Sequence, residues 1–172
     1  RRRRRLWLAA AAAWLLALGL GGMAGWFWRE QRLAAERLPM ADAVAAYRLF
    51  AGAGLPMEFD LPRRAALQTW LHAQFGAAGD VPDLEPQGFR LQGGRALSTP
   101  EGAAALLVYE DPAGTRIALY LRPRTRQTLA GERRDGRLLA HYWAEGDTAF
   151  ALVGPATQTP LYKIAPLLQG AG

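Results

Sequence analysis

The side chains able to do chemistry are few and scattered. The chain has no cysteine, which removes disulfides, iron–sulfur clusters, thiolate zinc sites and a cysteine nucleophile. Ser98 is the only serine. It is expected in a loop before Pro100, outside any Gly-x-Ser-x-Gly elbow and with no histidine near it in sequence, so a hydrolase is not expected. The two histidines are His72, read on the polar side of a helix, and His141, read on a strand; without cysteines or spaced acids they make a poor metal site. Asp80, Asp83 and Glu85 cluster in a loop but lack the ligand ladder and turn glycine of a calcium site, and read as solvated acids. Gly93-Gly94 follows a strand without the Lys-Ser/Thr or GxGxxG of a phosphate loop, so a bulge or tight turn is expected. Arg122, Arg124 and Arg126 alternate around Pro123; they read as charges blunting an exposed strand edge, with a basic edge for an anionic partner as the alternative. The expectation is a protein that is not an enzyme and has no cofactor and no metal.

With no constellation to position, composition sets the frame. The 172 residues are 51% hydrophobic and 21% charged, enough for one domain and an accessory segment. A net charge of +6 and a pI near 10.5 resemble nucleic-acid binding until the charges are placed. Five arginines are Arg1, Arg2, Arg3, Arg4 and Arg5, and the remaining 16 basic residues face 15 acidic ones. The body is nearly neutral and lacks the basic face that binds nucleic acid.

Residues 6–28 (LWLAAAAAWLLALGLGGMAGWFW) carry no charge. At about 1.5 Å per residue they span about 34 Å, enough for a hydrocarbon core of about 30 Å. Trp7 at one end and Trp26, Phe27 and Trp28 at the other suit interfacial belts. The arginine cluster resists translocation, so the N-terminus is expected in the cytoplasm and residues 29–172 in the periplasm of a bacterial inner membrane, in a single pass. A cleaved signal peptide is the competing reading, but the run exceeds the usual apolar core and its small-x-small site, Gly22-Met23-Ala24, precedes the Trp/Phe cluster. Ala9, Ala13, Ala17, Gly21 and Gly25 recur every four residues, a stripe that packs helices in lipid and would serve a homodimer. Gly19, Gly21, Gly22 and Gly25 weaken the outer half of the span, as a substrate of an intramembrane protease requires.

Beyond the span, 29–38 is read as a continuing helix that Pro39 breaks. Residues 41–51 restart a helix, with Asp42 as its cap and Val44, Tyr47, Phe50 and Ala51 on one face. Residues 55–60 alternate like a short strand. Pro62 opens a helix to Phe75, striped by Leu67, Trp70, Leu71 and Phe75 and closed by Gly76. Residues 80–86 form a proline-rich loop. The period then changes from 3.6 to 2. Residues 89–92 alternate, 104–110 and 116–122 form a hairpin around Asp111-Pro112-Ala113-Gly114, and 136–144 and 148–154 form another around Glu145-Gly146-Asp147. Residues 160–168 read as a final helix with Leu161, Ile164 and Leu167 or Leu168 inward. The fold class expected is α+β: a transmembrane helix, then two helices, an antiparallel sheet of about four to six strands and a C-terminal helix.

Five stretches occur in an order that carries a resemblance: LQTWLHAQFG (67–76), VPDLEPQGFRLQGGRAL (81–97), ALLVYEDPAGTRIALYLRP (105–123), HYWAEGDTAFALVG (141–154) and LYKIAPLL (161–168). Together they resemble the membrane-anchored anti-sigma factors of proteobacteria, transmembrane regulators of transcription. The resemblance covers about residues 6–168. It matches Pro82, Asp83, Leu84, Gly88, Phe89, Gly93, Gly94, Arg95, Tyr109, Trp143 and Gly154 to the exported-domain pattern and assigns them no chemistry. It implies a cytoplasmic domain, upstream of this chain, that holds an extracytoplasmic-function sigma factor. It also implies an exported receiver and release of the sigma factor by stepwise periplasmic and intramembrane proteolysis. The organisation expected is a basic stretch at 1–5, the span at 6–28, a juxtamembrane linker or helix at 29–40, a periplasmic sensor domain at 41–168 and a tail at 169–172. The competing expectation is a bitopic scaffold of a cell-envelope complex.

Overall fold

A computed structural model of the chain describes residues 39–125, 130–157 and 160–169. The apolar run at 6–28, with Arg1–Arg5 and the stripe of Ala13, Ala17, Gly21 and Gly25, lies outside the described residues. Among the described residues no helix is long and apolar enough to cross a membrane.

The chain is α+β. Helix α1 (Ala41–Ala46) runs directly into a π-helical stretch at Tyr47–Gly52. A short 3-10 turn at Leu61–Arg63, with Pro62 in its first positions, leads into α2 (Arg64–Phe75). Pro62 fits there because the first helical amides need no intrahelical acceptor. Gly76, at φ +59°, closes α2 in a backbone region that side chains disfavour. Six strands follow: β1 (Arg90–Thr99), β2 (Gly102–Glu110), β3 (Arg116–Pro123), β4 (Gly131–Asp135), β5 (Leu138–Glu145) and β6 (Thr148–Pro155). Helix α3 (Pro160–Leu168) comes last.

The sheet order is β1-β2-β3-β6-β5-β4, with every neighbouring pair antiparallel. Two three-stranded meanders therefore meet along β3 and β6. Both faces of the sheet are covered, which explains why β2 and β6 read as nearly unbroken apolar runs. One face carries large side chains: Leu107, Tyr109, Ile117, Leu119, Leu121, Trp143, Phe150 and Leu152 pack with Leu67 and Leu71 of α2 and Leu161, Ile164 and Ala165 of α3. The other face is rich in alanine, with Ala104, Ala118, Ala140, Ala149 and Ala151 beneath Val44, Tyr47, Phe50 and Ala51. Small residues there let the π-helical stretch lie close to the sheet. Each leucine fully removed from water stabilises the fold by about 1.5–3 kcal/mol.

Several expectations are corrected. Residues 55–60 form no strand; only Phe59 pairs, in an isolated bridge with Gly94, because Pro56 and the exposed Leu55 leave nothing to extend. Asp42 is not a cap. Met40 precedes the helix with no side-chain cap bond, and Asp42 sits in the first turn. Ser98 lies in β1 rather than a loop. Gly136 is a turn residue, and β5 begins at Leu138. The strand β4, reading GERRD, was not expected at all because it has no apolar alternation. Arg122 does not blunt an edge: β3 is a central strand, and the edges are β1 and β4. On α3, Leu168 packs inward while Leu167 is 54% exposed.

Candidate functional site

The residues matched by the resemblance divide into two groups. Most of them gather where α2, the 80–89 loop and β1 meet. The Tyr109 hydroxyl donates to the Pro82 carbonyl at 3.0 Å, and its burial holds the phenol above its ordinary pKa. The Asp83 carboxylate accepts the Glu85 amide at 3.0 Å, starting a 3-10 turn (Glu85–Gln87) that ends on Gly88 at φ +85°. The Phe89 amide then reaches back to the Leu84 carbonyl at 3.0 Å, and both side chains enter the core. Gly93 marks a β-bulge, as its register shift shows. A Cβ on Gly94 would lie 2.8 Å from both Leu67 methyls, so this glycine sets how closely α2 approaches the sheet. Arg95 lies over the Phe50 ring at 4.5 Å and donates to the Pro56 carbonyl at 3.0 Å.

Trp143 and Gly154 sit apart from this group. Trp143 stacks on Phe150 with centroids 5.3 Å apart and donates from Nε1 to Glu145 at 3.0 Å. Gly154 leaves room for Ile117 and Leu161. These eleven residues build the fold; the structure brings no reactive pair together among them.

The other candidates are also accounted for by structure. His72 pairs with Asp80 at 2.5 Å on the surface, so Asp80 is not merely a solvated acid. His141 lies 3.3 Å from Glu132 and edge-on to Tyr162. Arg124 donates to the Gly146 carbonyl at 3.4 Å, and Arg126 lies outside the described residues. Among the described residues no group of three or more His, Asp or Glu side chains is placed to hold a metal.

A second constellation, which the sequence did not announce, surrounds the first residues of the domain. Met40 is the only non-glycine among the described residues with positive φ (55°). That left-handed conformation costs roughly 1–2 kcal/mol. Its side chain is 1% exposed, and burying it returns about 1.5–3 kcal/mol. The sharp bend is thus held by core packing. Just beyond the bend, the Asp42 carboxylate accepts the Tyr120 hydroxyl at 3.0 Å and lies 3.3 Å from Arg122 Nη1. Glu101 stands 3.8 Å from the same guanidinium. Arg122 is only 14% exposed, so its charge needs these carboxylates. Burial, first, and then the adjacent Asp42 charge push the Tyr120 phenol above its ordinary pKa.

Further ties follow along the helix. Arg133 of β4 donates to the Pro39 carbonyl at 3.3 Å. Arg48 and Arg133 both bond the Asp135 carboxylate, at 2.8 and 2.9 Å. The hydrogen bond from Arg48 is the main reason the Asp135 carboxyl sits below its ordinary pKa. The Tyr47 hydroxyl donates to the Arg116 carbonyl at 2.8 Å. Arg116 in turn bonds Glu110 at 2.6 Å and the Ala51 carbonyl at 3.2 Å, serving the free end of the π-helical stretch. The segment from Pro39 to Ala51 is clamped to the sheet along its whole length. The one sequence signal for this was Arg122 following the apolar run IALYL: a charge at the end of a central strand needs a partner. Comparison with known families finds no match to the chain, and no curated protein matches it.

Proposed function

We propose that the chain is the membrane anchor and periplasmic signal-receiving part of an anti-sigma factor. A cytoplasmic domain encoded upstream of Arg1 would hold an extracytoplasmic-function sigma factor, the 6–28 helix would cross the inner membrane, and the folded domain would receive the signal. Two features support the reading: the ordered motifs from Leu67 to Leu168, and the clamp at Pro39, Met40 and Asp42. The clamp carries the most weight. It fixes the chain where the domain begins, so whatever loosens the domain also frees the segment from Pro39 onward for a protease. Signalling then proceeds by exposure of a cleavable segment and needs no catalytic group in the domain.

Purifying the full-length gene product in detergent and identifying its partners tests this. A co-purifying sigma factor, lost after proteolysis within the juxtamembrane stretch, is the expected result. The alternative is a bitopic scaffold of a cell-envelope complex, which the open charged edge of β4 would suit. It predicts stable stoichiometric envelope partners, no sigma factor and no regulated cleavage.

A further inference from the structure

The two edges of the sheet are treated differently. At β1 the Phe59 amide bonds the Gly94 carbonyl at 2.9 Å, and the Gly94 amide bonds the Phe59 carbonyl at 2.8 Å. The Glu58 carboxylate takes the Ala96 amide at 3.2 Å. That edge is occupied through its middle. At the other end of the sheet, no strand among the described residues pairs with the outer side of β4.

The turn fixes which groups that open edge presents. Asp135 pairs with Leu138 across the two-residue turn Gly136-Arg137, with Gly136 at φ +62°, as a turn with glycine at its first central position requires. The closing pair of such a hairpin exchanges both backbone hydrogen bonds, and hydrogen-bonded pairs alternate from there. Asp135, Arg133 and Gly131 therefore spend their amides and carbonyls on Leu138, Ala140 and Tyr142. The amides and carbonyls of Glu132 and Arg134 point outward. Glu132 and Arg134 are exposed, while Gly131, Arg133 and Asp135 are half-buried.

We infer that β4 pairs antiparallel with β4 of a second copy of this chain, on a two-fold axis at Arg133. In that register Glu132 of one copy faces Arg134 of the other, twice. All four outward-pointing residues meet as hydrogen-bonded pairs, each with opposite charges across it. The competing registers fail on charge: an axis at Glu132 sets two carboxylates face to face, and one at Arg134 sets two guanidiniums face to face. Shifting by half a step places outward groups against residues already bonded to β5. The central Arg133 side chains meet across a non-hydrogen-bonded position, but each is held by Asp135 at 2.9 Å and by the Pro39 carbonyl at 3.3 Å. Its charge is balanced within its own copy and drawn over α1. An edge whose charges served only to repel would not read Glu-x-Arg about a centre, which is self-complementary.

Five residues of edge bury less than the roughly 1,200 Å² of a stable interface. The pairing therefore depends on a raised local concentration, which the proposed membrane tether supplies; its strength rests on that reading, its register does not. The clamp and the pairing share Arg133, so pairing would stiffen the hold on Pro39.

Single cysteines in the otherwise cysteine-free full chain test the register in oxidised cell membranes. R133C places a thiol opposite its own copy at a Cα separation of about 4.5 Å, within disulfide reach. It is expected to form at least ten-fold more covalent dimer than T69C, an exposed position on α2. E132C and R134C alone are expected at the T69C level, and the E132C/R134C double variant well above it, which tests the register with Arg133 intact. In the R133C background, E132R or R134E is expected to lower cross-linking several-fold, and E132R together with R134E to restore it. Cross-linking of R133C no greater than T69C, or indifferent to the charge reversals, overturns the inference. Fractionation of the same cells separates the two proposals. A chain in the aqueous fraction that still cross-links through residue 133 removes the anchor and keeps the pairing. A membrane-bound chain that does not cross-link removes the pairing alone.

Discussion

Replacing Asp42 with alanine takes one acceptor and one charge from the same place. The Tyr120 hydroxyl, on a side chain 2% exposed, loses its partner, and an unsatisfied buried hydroxyl costs about 1–3 kcal/mol. Among the described residues Arg122 then keeps only the carboxylate of Glu101, at 3.8 Å. Loss of a partly buried charge partner adds about 1 kcal/mol, below the value for a fully buried pair because Asp42 is 33% exposed. Asp42→Ala is therefore expected to destabilise the domain by about 2–4 kcal/mol. Tyr120→Phe removes the hydroxyl with its need for a partner and costs about 1 kcal/mol. In the double variant the unsatisfied hydroxyl is absent, so its loss should be smaller than the sum of the two, with a coupling of about 1 kcal/mol or more. Urea unfolding of the full chain in detergent, followed by near-ultraviolet circular dichroism, measures all three. If release of the clamp exposes the segment from Pro39 to Ala51, 2–4 kcal/mol corresponds to a rise of about thirty-fold to several hundred-fold in the open population. Limited proteolysis at that stretch should accelerate accordingly. The reasoning is refuted if Asp42→Ala is neutral, or if Tyr120→Phe costs as much as Asp42→Ala with no coupling.

Other outcomes follow from the same packing and charges. Gly94→Ala would ordinarily favour a strand, but its Cβ would meet Leu67 at 2.8 Å; a loss of about 1–3 kcal/mol is expected from chemical denaturation. The Asp135 carboxyl is held below its ordinary pKa of 3.8 by Arg48. Its contribution is present above about pH 3.8 and is lost as pH falls through the lowered value; in Arg48→Ala, whose exposed pair is worth at most about 1 kcal/mol, the acid midpoint should move up. Burial raises Tyr47, Tyr109 and Tyr120 above their ordinary pKa of 10.0. Their contribution is complete below pH 10 and is lost as pH rises toward the raised values, so ultraviolet titration should show these phenols ionising above pH 10, together with unfolding.

The fold was legible in the sequence wherever one physical rule dominated. The stripe Leu67, Leu71 with Pro62 before it and Gly76 after it marks α2 at both ends, and the Asp-Pro-Ala-Gly and Glu-Gly-Asp turns place two hairpins. Gly93-Gly94 reads as a bulge or a tight turn, and the register shift between Leu91 and Gly93 makes it a bulge. The misses share one cause: a residue's role was fixed by a partner far along the chain. Strand β4 carries no apolar period, because Glu132 and Arg134 are exposed and Arg133 and Asp135 face the Pro39 carbonyl and Arg48; only pairing with β5 makes it a strand. Asp42 resembles a cap locally and is claimed by Tyr120, 78 residues away. Arg122 looks like an edge charge until β6 is found on its other side. Residues 55–60 alternate in type but pair only at Phe59. The clamp was illegible for the same reason, since its members come from α1, β3 and β4 and have no common motif.

The proposal is at root topological: the uncharged run would cross the bilayer with its arginines in the cytoplasm and the folded domain outside. A reporter fused after Gly172 that is active only in the periplasm, compared with one active only in the cytosol, tests it directly. Activity of the periplasmic reporter in carbonate-resistant membranes is the predicted result. Activity of the cytosolic reporter, or release of the chain into the aqueous fraction, contradicts the account.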